Sequence, residues 1–409
     1  MAQHASPLSA TLLAGWAVFA VEMTECVAVV GAGAVGLSTA WELANRGVDV
    51  TCYDRSEPGS GATGNAAGLC YDAYVEHTDA ALATRSLERF REWGVLTACP
   101  YVWVAREDAR SEATASSNKA NGTAVSSEAT ASSNHAAAAV REHAKRMAER
   151  GREVSLSTPG ELADRFPALE TEHLAVGAVA ENAGYVDASV FVDELTERAR
   201  AAGVTLRTDC PVEVTAEPAV ETDSGVDRPD AVVVAAGVHT RPLLAEAGVN
   251  LALGTYRAQA LETEAIEGEP PIFYDASEQF YLRPAGDGLL AGNGAHAYDG
   301  DPDEFDPSAD PAFLDETRDR IASALGEQPD VARSWAGLCT ATPDRDPLVG
   351  ACAPGLYVAA GWHGHGFMRA PAIGDRLAKE VCGGEGIDHF DPTRFDGDEP
   401  IDLPGGIVD

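Results

Sequence analysis

Val27–Val30 is a short apolar run, and Gly31, Gly33 and Gly36 follow it at once. Beyond the glycines, Val35, Leu37, Ala40, Leu43 and Ala44 share one helical face, and the pattern stops at Gly47. Val48–Asp54 then reads as a second strand, so the segment predicts a β-α-β unit of about 30 residues. Helical periodicity returns over Ala81–Trp93, over Ser189–Ala202 and over 311–325. Tyr101–Ala105, Val204–Arg207 and Asp230–Ala236 read as strands, as do Leu251–Thr263, Phe280–Arg283 and Leu289–Ala291. Near the end, the strand Leu356–Ala360 passes through a glycine-rich turn into a helix from Met368 to Val381.

The pattern fails between Arg106 and Ala138. SEATASSN stands at 111–118 and again at 127–134. A Ser/Ala/Thr/Asn tract has too little apolar surface to order itself, so 107–138 reads as a low-complexity surface insertion before a charged helix over 137–150. Ser9–Val21 is apolar but too short to span a bilayer, and no Lys or Arg precedes it as in a secretory signal. Residues 1–22 therefore read as an extension outside the fold, and 386–409 as an acidic surface tail.

The chain has 409 residues, with 65 acidic against 29 basic and a net charge of −36. A phosphate backbone or an anionic membrane would be repelled, which excludes nucleic acid as a partner. Of the basic residues only Lys119, Lys145 and Lys379 are lysines, a balance expected of adaptation to high salt. The eight cysteines are scattered, without C-x-x-C pairs or metal-ligand spacing, so a reducing cytoplasm is expected and no metal site.

GAGAVG at 31–36 carries the first chemistry. The first glycine makes a tight turn, the second admits a pyrophosphate and the third lets helix and strand pack. Phosphates then sit on the helix N-terminus, and Asp54 at the end of the next strand suits a ribose hydroxyl pair. A dinucleotide cofactor follows, and the motif alone leaves NAD and FAD both open. A second glycine loop, GSGATGNAAGL, occupies 59–69. In the late turn, Gly361, Gly364 and Gly366 let backbone N–H groups crowd a ligand at a helix N-terminus, where negative charge is stabilised. His363 and His365 stand in that turn. His363 reads as a residue satisfying local backbone groups, while for His365 contact with ligand and a local role stay open.

These segments together resemble the D-amino-acid oxidase, glycine oxidase and sarcosine oxidase superfamily of FAD enzymes. The resemblance also rests on GYVDASVFVDEL at 184–195, DAVVVAAGVHTRPLL at 230–244, and TPDRDPLVG with GLYVAAGWHGHGFMRAPAIGDRLA across 342–378. It covers about residues 25–383 without the insertion. It implies an α/β fold: a Rossmann-like FAD-binding domain from 23–75, 166–248 and 336–385, interleaved with an α+β, sheet-based substrate domain from 76–165 and 249–335. The implied cofactor residues are Gly31, Gly33, Ala34, Gly36, Asp54, Arg55, Ala62, Thr63, Asn65, Ala66, Gly68, Val212, Ala236, Gly237, Gly364, Gly366, Phe367 and Met368. The implied reaction is oxidation of the C–N bond of an amino acid or secondary amine, with hydride passing to flavin N5 and the imine hydrolysing.

FYLRP at 280–284 supplies the substrate-side candidates. Tyr281 and Arg283 share a strand face, and an arginine beside a tyrosine suits a carboxylate. With His365 they form the expected catalytic set, and Arg257 and Arg369 are further arginine candidates. The chain departs from the family where it matters for the electron acceptor. Cys339 stands where glycine oxidase-like members carry an arginine, Gly337 where monomeric sarcosine oxidases tether flavin, and Met368 where they carry lysine. No lysine falls between 146 and 378, so the oxygen-activating lysine has no counterpart. Non-covalent FAD is expected, and electrons pass either to O2 or to an acceptor protein. An NAD-dependent dehydrogenase and a non-catalytic flavoprotein assembly factor are the alternatives.

Overall fold

The computed structural model describes residues 24–107 and 126–401. The expected extension at 1–22, most of the insertion and the last residues of the tail lie outside the described residues.

A six-stranded sheet runs in the order Leu348–Ala353, Leu356–Ala360, Ala231–Val234, Cys26–Val30, Asp49–Tyr53, Thr205–Arg207. Its pairings are parallel except the first, which is a hairpin. Val27 and Val29 pack into one apolar cluster, while Ala28 and Val30 pack into another on the opposite face. Burial on both faces explains why the strand is a continuous apolar run. Helices Ala34–Ala44, Ala188–Ala201 and Gly366–Val381 pack together against the first cluster. Phe191 sits edge-on to Phe90 and to Phe367, with ring centroids 5.1 Å apart in each pair.

An eight-stranded sheet runs Val331–Ala341, Gly254–Thr263, Gly288–Ala297, Phe280–Ala285, Ile272–Asp275, Tyr101–Arg106, Leu174–Ala180, Val154–Ser157. Tyr101, Trp103 and Ala105 face the cluster that includes helix Ser126–Glu149; Val102 and Val104 face Phe313 and Ile321 of helix Pro311–Leu325. A small sheet of Leu69–Tyr71, Ala183–Tyr185 and Thr97–Ala98 joins the second glycine loop to the rest.

The mixed α/β class agrees with expectation. Three boundaries do not. Leu174–Ala180, expected in the nucleotide-binding segment, pairs with Tyr101–Arg106 and Val154–Ser157 in the large sheet. Its small, uniformly apolar residues carry no alternation that would assign it. Val331–Ala341 is one strand of that same sheet, so a division at 335/336 cuts through it. The charged helix begins at Ser126 rather than 137, since alanine and glutamate in the tract favour helix once a start exists. In the tail, Phe390 is buried, so 386–395 is anchored. Among the described residues, no helix is long and apolar enough to cross a membrane.

Helices Ala34–Ala44 and Gly366–Val381 touch backbone to backbone at Gly374, where a Cβ would fall 2.6 Å from Ser38 Cβ and 2.8 Å from Thr39 N. Gly374→Ala is expected to lose about 1–3 kcal/mol in urea denaturation. Gly160→Ala, a helical position with nothing within 4 Å, is expected to be neutral or slightly stabilising. Equal effects would contradict this packing.

Candidate active site

A cavity of about 800 Å³ opens between the two large sheets. Its first wall is the start of helix Ala34–Ala44. Gly33 is the N-cap and has no side chain to cap the helix, Thr63 Oγ1 takes only the Ala34 N–H, and no acid stands in the first turn. Orphan N–H groups and the positive end of the helix dipole therefore face the cavity. Gly31 has φ of 106°, and a Cβ there would run into the Ala235 carbonyl. A Cβ on Gly36 would strike the Gly31 carbonyl. Gly36 thus permits the turn but does not line the cavity, whereas Gly31, Gly33 and Ala34 do.

The second glycine loop closes over the first. Gly59 N–H donates to the Ala32 carbonyl at 3.0 Å, and Ala34 N–H donates to Thr63 Oγ1 at 3.0 Å. Trp335 Nε1–H donates to the Asn65 carbonyl at 3.3 Å, tying this loop to the large sheet. Ala62, Thr63, Asn65, Ala66 and Gly68 line the cavity.

Asp54 accepts from the N–H groups of Ala32 (2.7 Å) and Ser56 (2.9 Å). Burial raises its carboxyl above the ordinary value, against the pull of those two donors. Arg55 lines the cavity but pairs with Asp303 at 2.6 Å. Val212, Ala236 and Gly237 complete this end.

At the other end, Gly364, His365, Gly366, Phe367 and Met368 line the cavity ahead of helix Gly366–Val381, with His365 as its N-cap residue. The turn is pinned to strand Val331–Ala341. Gly361 N–H donates to Thr340 Oγ1 at 2.9 Å, and His363 N–H to the Thr340 carbonyl at 3.0 Å. Thr342 N–H donates to His363 Nε2 at 2.8 Å. Burial pushes the His363 ring down to about 4, so it is neutral and serves the turn. His363 also lines the cavity.

Tyr281 and His365 both line the cavity. His365 Nε2 lies 3.4 Å from the Tyr71 hydroxyl, and its ring stands edge-on to Tyr74. Tyr71 and Tyr256 also line the wall and escaped sequence reasoning, because neither belongs to a spaced motif. Burial raises the phenols of Tyr71, Tyr256 and Tyr281 well above their ordinary range, so all three remain O–H donors. Burial also raises the Cys339 thiol.

Arg283 is the correction. It is 4% exposed and does not line the cavity. It shares Tyr281's strand face as expected, but the second glycine loop covers its end of the strand, and Arg283 Nε donates to the Ala67 carbonyl. Arg257 is engaged by Asp310 and the Ser308 carbonyl, and Arg369 by buried Asp79.

The donor set fits an FAD. The helix start suits a pyrophosphate, Asp54 a ribose, and the turns at Gly31 and Gly36, where a Cβ would meet backbone, bring main chain up to the cavity.

Known proteins are similar to this chain. A family profile described as DAO, FAD dependent oxidoreductase, matches residues 26–380. Mitochondrial dimethylglycine dehydrogenase from Homo sapiens is 26% identical over 90% of this chain, and the alignment spans 44% of that longer relative. Glycine oxidase from Geobacillus kaustophilus (strain HTA426) is 25% identical, over 87% of this chain and 92% of that one. The crystal structure of L-proline dehydrogenase from P. horikoshii superposes with a TM-score of 0.78 at 23% identity, over 91% of this chain and 98% of that one, a likeness of fold.

Asp54→Ala is expected to weaken FAD binding about 10–100-fold, the worth of hydrogen bonds to a charged group, and Asp54→Asn to weaken it less. Titration of apoprotein with FAD, followed by flavin fluorescence, checks the order. Equal affinity in all three proteins would contradict the assignment.

Proposed function

The chain belongs to the FAD-dependent oxidoreductase family, and from that premise we propose that it oxidises the C–N bond of a small amino acid or secondary amine. One observation carries the reading. Tyr71, Tyr256, Tyr281 and His365 gather at the end of the cofactor cavity formed by strand Val331–Ala341 and the turn before helix Gly366–Val381. The three phenols leave a wall of neutral hydrogen-bond donors, with aromatic faces, for a substrate beside the cofactor. Dimethylglycine dehydrogenase, glycine oxidase and L-proline dehydrogenase are all named for substrates that carry an amine, which supports the same chemistry here.

FAD, when bound without a tether, supplies the two-electron acceptor for the hydride that leaves the α-carbon. The chain's own residues have four tasks. Gly31, Gly33 and Ala34 hold the pyrophosphate at the helix end. Asp54 accepts from the ribose. The turn at 364–368 presents the positive end of a second helix to the ring system. The phenols of Tyr71, Tyr256 and Tyr281 orient the substrate's polar end by donating O–H, because burial keeps them protonated. No side chain is needed as a base, since a free amine can lose hydride from carbon and a proton from nitrogen, and water then cleaves the imine to a carbonyl compound and an amine. The neutral-donor wall lacks the arginine that the sequence offered for a carboxylate, so Tyr281 and its phenolic neighbours take that role. An NAD-dependent reading does not stand beside the FAD family match.

The test is anaerobic mixing of the FAD-loaded enzyme, in high salt, with sarcosine, dimethylglycine, glycine, L-proline and D-alanine. Loss of the visible flavin absorbance with at least one is expected, and reoxidation on admitting air separates an oxidase from a dehydrogenase. Flavin that dithionite reduces but every amine leaves oxidised would contradict the proposal and favour an assembly role.

A further inference from the structure

Strand Phe280–Ala285 lies inside the large sheet, between Ile272–Asp275 and Gly288–Ala297. One of its faces carries two side chains to different destinations. Tyr281 lines the cavity. Arg283, two residues on, turns away from solvent and from the cavity and grips the second glycine loop instead. Its Nε donates to the Ala67 carbonyl, its Nη1 donates to the Pro284 carbonyl at 2.6 Å, and its guanidinium carbon stands 4.9 Å from the centroid of the Tyr185 ring.

Those contacts converge on one unit. Tyr185 pairs with Leu69 in the small sheet, and Val186 N–H donates to the Gly68 carbonyl at 2.9 Å. The chain that holds Ala67 and the chain that holds Tyr185 are therefore already zipped together. Arg283 touches both sides of that zipper from the neighbouring sheet. Gly68, with φ of 69°, has no room for a Cβ against the Val186 carbonyl, so the loop has little freedom to settle elsewhere. Burial disfavours the Arg283 charge, and Asp187, Tyr185 and Glu262 offset that cost. A buried cation spent on two carbonyls and a ring is costly unless the position it enforces matters.

We infer that Arg283 is a positioning residue: it locks the loop 65–68, which walls the FAD cavity, to the strand that carries Tyr281 to the substrate end. Cofactor wall and substrate wall are thereby held in one register. The planar guanidinium suits the task because it donates in two directions while stacking on Tyr185, which an ammonium cannot do.

The test compares Arg283→Met and Arg283→Lys with the unaltered protein in three measurements. These are FAD affinity of the apoprotein, the rise in melting temperature that saturating FAD produces, and, for any amine that reduces the flavin, KM and kcat at saturating FAD. The expected order of FAD affinity is Arg above Lys above Met. Met should bind about 10–100-fold more weakly, because the charged hydrogen bond that holds the loop is lost. The FAD-induced rise in melting temperature should shrink in the same order. A purely structural arginine would lower the melting temperature of apo and FAD-loaded protein by the same amount and leave FAD affinity unchanged; that result overturns the inference. A selective rise in KM for carboxylate-bearing amines, with FAD affinity unchanged, would make Arg283 a substrate ligand and overturn it as well. The first two measurements need no substrate, so the inference stands or falls separately from the proposed reaction.

Discussion

Helix Ala34–Ala44 starts with N–H groups that its own N-cap residue, Gly33, cannot cap, just beyond the strand Cys26–Val30 that pairs in parallel with a neighbour on each side. Such an end demands an anion or water. The surrounding structure is arranged to keep that end accessible while closing everything else. Gly31 makes the turn into the helix, Thr63 satisfies one N–H, and the Gly59 N–H fastens the second loop to the Ala32 carbonyl. Asp54 anchors the turn through the Ala32 N–H. The second helix, Gly366–Val381, packs on the first through Gly374, so the turn that faces the opposite end of the cavity is positioned by the same helix pair.

The chain's charge and its site obey different rules. A net charge of −36 would repel a phosphorylated ligand from an ordinary acidic surface. The cavity answers with backbone: glycine turns and two helix N-termini, which favour anions without a fixed cation. Arg55, the arginine among the cavity-lining residues, is itself paired with Asp303. The other arginines that the sequence singled out are engaged with Asp310, with the Ala67 carbonyl and with Asp79. Tyr71, Tyr256 and Tyr281 instead give the cavity wall phenols that burial keeps protonated.

Features that depend on backbone conformation were legible in the sequence. Glycine spacing at 31–36, 59–69 and 361–366 encodes positive φ angles and close approaches that other residues cannot make, so these turns are where the motifs placed them. Tyr281 and His365, singled out from strand position and from the glycine-rich turn, both line the cavity. Arg283 was misread for a physical reason. Alternation tells which face a side chain takes but not what covers that face, and here the loop 65–68 lies over it. Tyr71 and Tyr256 carry no spacing signal, and Leu174–Ala180 has no alternation because both of its faces are covered. Phe390 shows the same limit in the acidic tail, where one buried aromatic decides the local structure amid charged neighbours.

If one cavity holds both halves of an FAD, with the adenosine end at Asp54 and the helix start and the ring end at the turn 364–368, titration of the apoprotein with FAD, FMN and NAD under the same salt conditions tests it most directly. One FAD per chain is expected, with FMN at least about tenfold weaker because the Asp54 contacts go unused, and no competition by NAD. FMN binding as tightly as FAD, or NAD displacing it, would rule out this placement of the cofactor.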